Sequence, residues 1–158
     1  MPSAGERTLS RAELVEVYEI WKLLGPMAIA RTALQASREL ILEAVDLVAR
    51  MRTEEAGPQW ADYSFRFHRL IEDAGSGPRT TAILGELRGL ARAHAEEAIL
   101  AFPGPASAAD AEHEEILRAI IAGDAQAAAD AALRHLDSSL RGLLMVRPVS
   151  PVPTVEPA

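Results

Sequence analysis

The sequence predicts an all-α fold, an antiparallel bundle of six or seven helices, and three observations carry that expectation. The 158 residues include 30 Ala and 19 Leu, a composition that favours helix over sheet. Apolar residues recur at helical spacing through each long segment, and few stretches alternate at period two. Glycine and proline gather at a few points that divide the chain into helix-length pieces.

The first piece begins at Leu9, after a polar tail over residues 1–8, and carries Leu14, Val17, Tyr18, Trp21 and Leu24 at helical spacing. Gly25-Pro26 is expected to kink or break it before Met27. Ser37 is an N-cap for a second helix with Leu40, Ile41, Ala44, Leu47, Val48 and Met51 on one face. Pro58 suits the first position of a third helix, over 58–74, that Gly75-Ser76-Gly77-Pro78 ends. A long fourth helix is expected over 79–101, then a loop at Phe102-Pro103-Gly104-Pro105. The fifth and sixth helices, over 107–122 and 125–146, are joined by Gly123 as stop and Asp124 as the next N-cap. Residues 147–158 hold four prolines and are expected to form an extended tail, leaving 9–146 as one structured domain.

Composition narrows the function. Without cysteine there is neither a disulfide framework nor a thiolate metal site. No segment reads as a leader or an 18-residue apolar span, so a soluble, cytoplasmic protein without membrane contact is expected. The net charge is −7, with 16 basic residues spread among 23 acidic ones, which suits duplex DNA binding poorly. There is no Gly-rich phosphate loop and no serine nucleophile elbow, and His113-Glu114-Glu115 lacks the second histidine of a helical zinc-protease motif.

Four histidines remain: His68, His94, His113 and His135. His113 lies ten residues before Gly123 and His135 eleven after Asp124. At about 1.5 Å per residue both stand roughly 16 Å from the same tight turn, so the two imidazoles sit at one height on antiparallel neighbours. Small residues around His135 (Ala131, Ala132, Ser138, Ser139 and Gly142) leave room beside it for a ligand. His68 lies on an apolar side of the third helix, between Phe65 and Ile71. Spacing alone leaves open a second reading, three separate half-buried histidines. His94, among Arg92, Glu96 and Glu97, is expected at the solvated surface.

The order of these features resembles the C-terminal ligand-binding (FCD) domain of GntR-type transcription regulators. The resemblance rests on Leu14, Tyr18 and Glu19, Phe67-His68 with Ala74-Gly75, Glu112-His113 with Ile116-Leu117 and Ala119-Ile120, Gly123-Asp124, and His135-Leu136. It spans about residues 9–146. It implies a helical bundle in which one Asp and three His hold a divalent ion such as Zn or Ni, with a small carboxylate effector beside it. By motif the ligands are His68, His113 and His135. Ser64 stands at the position of the family's aspartate, four residues before His68, and the family's early Arg and Glu are replaced near Trp21 and Gly25. Ser64 is then expected to face the effector or a water, while Arg88 and Arg92, flanking the fourth helix's apolar stripe, are either carboxylate partners or solvated charges.

The resemblance also implies a homodimer, with Trp21 or Leu24 at its helical interface, and DNA contact only through a winged helix-turn-helix that is not expected in this chain. The expected function is metal-dependent sensing of a small organic acid, without enzymatic activity. The alternatives are a metal-free dimerisation bundle and a metal-dependent hydrolase, the latter disfavoured because no Asp or Glu is recognisably placed as general base.

Overall fold

A computed structural model describes residues 8–101 and 106–146 of the chain, apart from the side chain of residue 100. The expected N-terminal tail (all but its last residue), the 102–105 loop and the proline-rich tail lie outside the described residues. Six helices and no strand are found among those described: α1 (Arg11–Gln35), α2 (Arg38–Thr53), α3 (Pro58–Asp73), α4 (Pro78–Ala101), α5 (Ser107–Ala122) and α6 (Ala125–Val146).

The helix boundaries follow local chemistry. Ser10 and Glu13 close a reciprocal capping box at the start of α1, the Ser10 hydroxyl accepting from the Glu13 N–H and the Glu13 carboxylate from the Ser10 N–H. The Ser37 hydroxyl accepts from the Leu40 N–H and starts α2. Gly123 adopts φ 68°, the left-handed conformation that lets its own N–H and that of Asp124 close on the last carbonyls of α5. The Asp124 carboxylate then accepts from the Ala127 N–H and opens α6.

One local expectation fails. Gly25-Pro26 neither ends nor interrupts α1, which runs unbroken through both residues. A proline inside a helix removes one hydrogen bond and costs about 3 kcal/mol. Here the cost is met by tertiary packing, because α1 is the central helix, in contact with α3, α4, α5 and α6. Lys22, one turn before Pro26, also holds α6 through Asp137 at 2.8 Å.

The core forms two clusters. One gathers α2, α3 and α5 around Leu47, Met51, Phe67, Ile71 and Ile116. The other joins α1, α4 and α6 through Leu14, Trp21, Leu84, Leu136 and Leu140. Between α1 and α3 the approach is very close. Trp21 meets His68, and two turns further along α1 Ala28 meets Gly75, in the turn that follows α3, where an added Cβ would lie 1.9 Å from the Ala28 carbonyl oxygen. The Thr32 hydroxyl, one turn on, donates to the Ile71 carbonyl at 2.6 Å. This contact fixes the height at which α3 presents His68.

Candidate metal centre

Three buried histidines from three helices converge where the two core clusters meet. α3 supplies His68, α5 His113 and α6 His135, each with a ligand nitrogen within 4.8 Å of the others. His68 Nε2 lies 3.2 Å from His113 Nε2 and 3.0 Å from His135 Nε2. The His113 and His135 rings, placed at one height by the Gly123-Asp124 turn, have centroids 4.5 Å apart. His68 and His135 stack nearly parallel at 14°.

The proton inventory around these nitrogens is short of donors. His135 Nδ1 donates to the Glu112 carboxylate at 2.7 Å, which leaves its Nε2 as a lone pair. One N–H on His68 Nε2 could serve only one of its two neighbours well. A single cation satisfies all three lone pairs at once. In a tetrahedral site with Zn–N of 2.0–2.1 Å the donor nitrogens stand about 3.3 Å apart, close to the spacing found here. The donor set therefore fits a borderline divalent ion such as zinc or nickel. His113 Nδ1 is buried and makes no hydrogen bond, so that side of its imidazole is positioned by packing, with Phe67 and Trp60 against the ring.

Electrostatics keep the centre in a ligating form. Burial, reinforced by His135 and Arg88, lowers the pKa of His68 well below the usual 6.5. Burial, with His135 and His68, does the same for His113. Burial alone would push the Glu112 carboxyl up, but hydrogen bonds from His135 and Ser138 hold it below its ordinary value. Glu112 is thus an anion directly behind one imidazole. The sequence contained this signal, since Glu112 sits next to His113, but only the α5–α6 pairing shows that it serves His135.

Beside the histidines lies a cavity of about 170 Å³, walled by Tyr18, Trp21, Trp60, Phe65 and a series of alanines, with Gly142 and Leu143 from α6. His68, His135 and Ser64 also line it. Ser64 Oγ is 3.4 Å from His113 Nε2, so the position four residues before His68 does face the centre. Asp62 does not: it is half-exposed and 3.7 Å from Arg92.

The two arginines are not part of the cavity wall. Arg88 is buried, donates to Glu72 and lies 3.0 Å from Asp73, so both faces of its guanidinium are taken. The expected carboxylate role for Arg88 is corrected by that pairing. Burial pushes Glu72 up to about 7 against the pull of Arg88 and of the Trp21 N–H, which donates to it at 2.7 Å. Arg92 is exposed, pairs with Glu96 at 2.9 Å and lies over the outer face of Phe65, 5.0 Å from the ring centre.

Two further expectations are corrected. His94 is buried, not solvated, because Leu9 folds over α4 and its N–H donates to His94 Nε2 at 3.1 Å. Charged sequence neighbours on an exposed flank masked this contact across 85 residues. Trp21 is 4% exposed and occupied by Glu72 and His68 inside the subunit, so it cannot belong to a dimer interface.

The family model of the FCD domain matches residues 16–138. No curated protein matches the chain.

Proposed function

We propose, since the chain belongs to the FCD domain family, that it is the ligand-sensing domain of a GntR-type transcription regulator and senses a small organic acid at a three-histidine metal centre. The observation that carries this reading is the convergence of three buried imidazoles beside an apolar cavity, two of which, His68 and His135, form part of its wall. His68, His113 and His135 would hold the ion through Nε2. A bound ion would supply positive charge there and, with three protein ligands, could accept a further ligand. Ser64 lies beside His113 where a fourth protein ligand would reach, and offers a neutral hydroxyl there. Glu112 fixes the tautomer of His135, keeping Nε2 free to ligate.

Titration of protein prepared without chelator, with zinc and then nickel, tests the reading directly. One site per chain is expected. Glu112→Gln keeps a hydrogen-bond acceptor for His135 but loses the charge, so zinc affinity should fall about 10–100-fold with the fold intact. An unchanged affinity would remove Glu112 from the centre.

Signal output requires a second subunit, and α1 offers a surface for it. Opposite its buried face, Ile20, Leu23, Met27 and Leu34 form an apolar stripe, with Leu23 and Leu34 75% and 72% exposed. Apolar stripes of this kind mark association surfaces. Light scattering should give a dimer mass, and Leu23→Glu should shift it to the monomer. A wild-type monomer at tens of micromolar would sink the dimer. Among the described residues no helix is long and apolar enough to cross a membrane.

A further inference from the structure

We infer that the cavity selects a small monocarboxylic acid with an aromatic or branched apolar body, and rejects dicarboxylates and sugar acids. This deepens the sensing role proposed above and rests on it. Volume is the first argument. About 170 Å³ is close to the roughly 150 Å³ of an engineered apolar cavity that takes up benzene, so the body of the ligand is about one ring in size. Tyr18, Trp21, Trp60 and Phe65 present aromatic surface to it, and alanines with Ile99, Leu136 and Leu143 supply most of the remaining apolar wall.

Charge is the second argument. Among the described residues no Lys or Arg lines the cavity. Arg88 is consumed by Glu72 and Asp73, and Lys22 by Asp137. Among the described residues, positive charge is therefore available to the cavity at the histidine centre alone. One carboxylate can be neutralised there. A second would lose its water and gain no counter-charge. The many hydroxyls of a sugar acid would find few partners, since the N–H groups of Trp21 and Trp60 already donate to Glu72 and Asp110, which leaves the hydroxyls of Ser64, Ser139 and Tyr18 on an otherwise apolar wall.

One neutral polar contact remains beside the serines. Tyr18 is 3% exposed and lines the cavity. Its phenol is a neutral donor and acceptor on the cavity wall. It would bond a hydroxyl or similar substituent on the ring, adding selectivity without adding charge.

The test uses the zinc-loaded full chain and calorimetry with benzoate, 4-hydroxybenzoate, succinate and gluconate as probes. The benzoates should bind at least tenfold more tightly than succinate or gluconate. Gly142→Leu supplies a second reading. An added Cβ at Gly142 meets nothing within 4 Å, so the new side chain enters open space at the cavity wall. It should retain zinc affinity and lose the benzoates. Tyr18→Phe should reduce the preference for any hydroxylated ring. Tighter binding of succinate or gluconate, or full benzoate binding by Gly142→Leu, overturns the inference while leaving the metal centre standing. Failure of the wild-type chain to bind zinc overturns both.

Discussion

Zinc affinity should drop by well over a hundredfold in His68→Ala, the largest loss expected of any single side chain at the centre. His68 is the middle member of the cluster, with its Nε2 at 3.2 and 3.0 Å from the two others. Removing a neighbour that only orients a ligand already costs about 10–100-fold, and removing the central donor itself costs more. His135→Ala should behave similarly. His94→Ala should leave zinc binding untouched, because His94 is bonded to Leu9 and absent from the cluster. Ser64→Asp should tighten binding, since it sets a carboxylate beside His113 Nε2. Competition titration with a zinc indicator reads all four. Wild-type affinity in His68→Ala, or a loss confined to His94→Ala, would place the metal elsewhere.

The same titration has an expected pH profile. Only neutral imidazole ligates, and burial holds His68 and His113 well below their ordinary pKa. Those two donors stay deprotonated through the neutral range. Affinity is therefore expected to be level near pH 7.5 and to fall only well below the ordinary imidazole pKa of about 6.5, where protons begin to compete for these two buried donors. A loss already complete at neutral pH would contradict the buried placement of the site.

The second large effect concerns stability. Gly75→Ala should cost about 3 kcal/mol or more, beyond the usual range for one added methyl group in a packed region. The new Cβ would meet the Ala28 carbonyl at 1.9 Å and the Thr32 hydroxyl at 2.8 Å. The first obstacle is helix backbone, so no side-chain rotation relieves it. The turn after α3 must move away from α1, and it is expected to draw the end of α3, and with it His68, out of place. Zinc affinity should accordingly fall together with the denaturation midpoint. Gly142→Ala is the counterpart: its Cβ enters open space, and the better helix propensity should stabilise by up to about 1 kcal/mol. An unchanged midpoint for Gly75→Ala would mean that the two helices do not approach this closely.

The sequence by itself determined the number and nearly the limits of the helices. Caps and stops act within one turn, through Ser10, Ser37, Gly123 and Asp124, and a local rule can read them. It also set the common height of His113 and His135, because a tight turn leaves two antiparallel helices no other register. The tertiary structure alone decided the rest. Pro26 lies inside an unbroken α1 because four neighbouring helices pack on that helix. His94 is buried because Leu9 covers it from the far end of the sequence. Arg88 belongs to Glu72 and Asp73, and among the described residues no Arg or Lys lines the cavity. Periodicity reports which side of a helix is apolar, but these outcomes depend on which distant group arrives there, and that is fixed only when the helices pack.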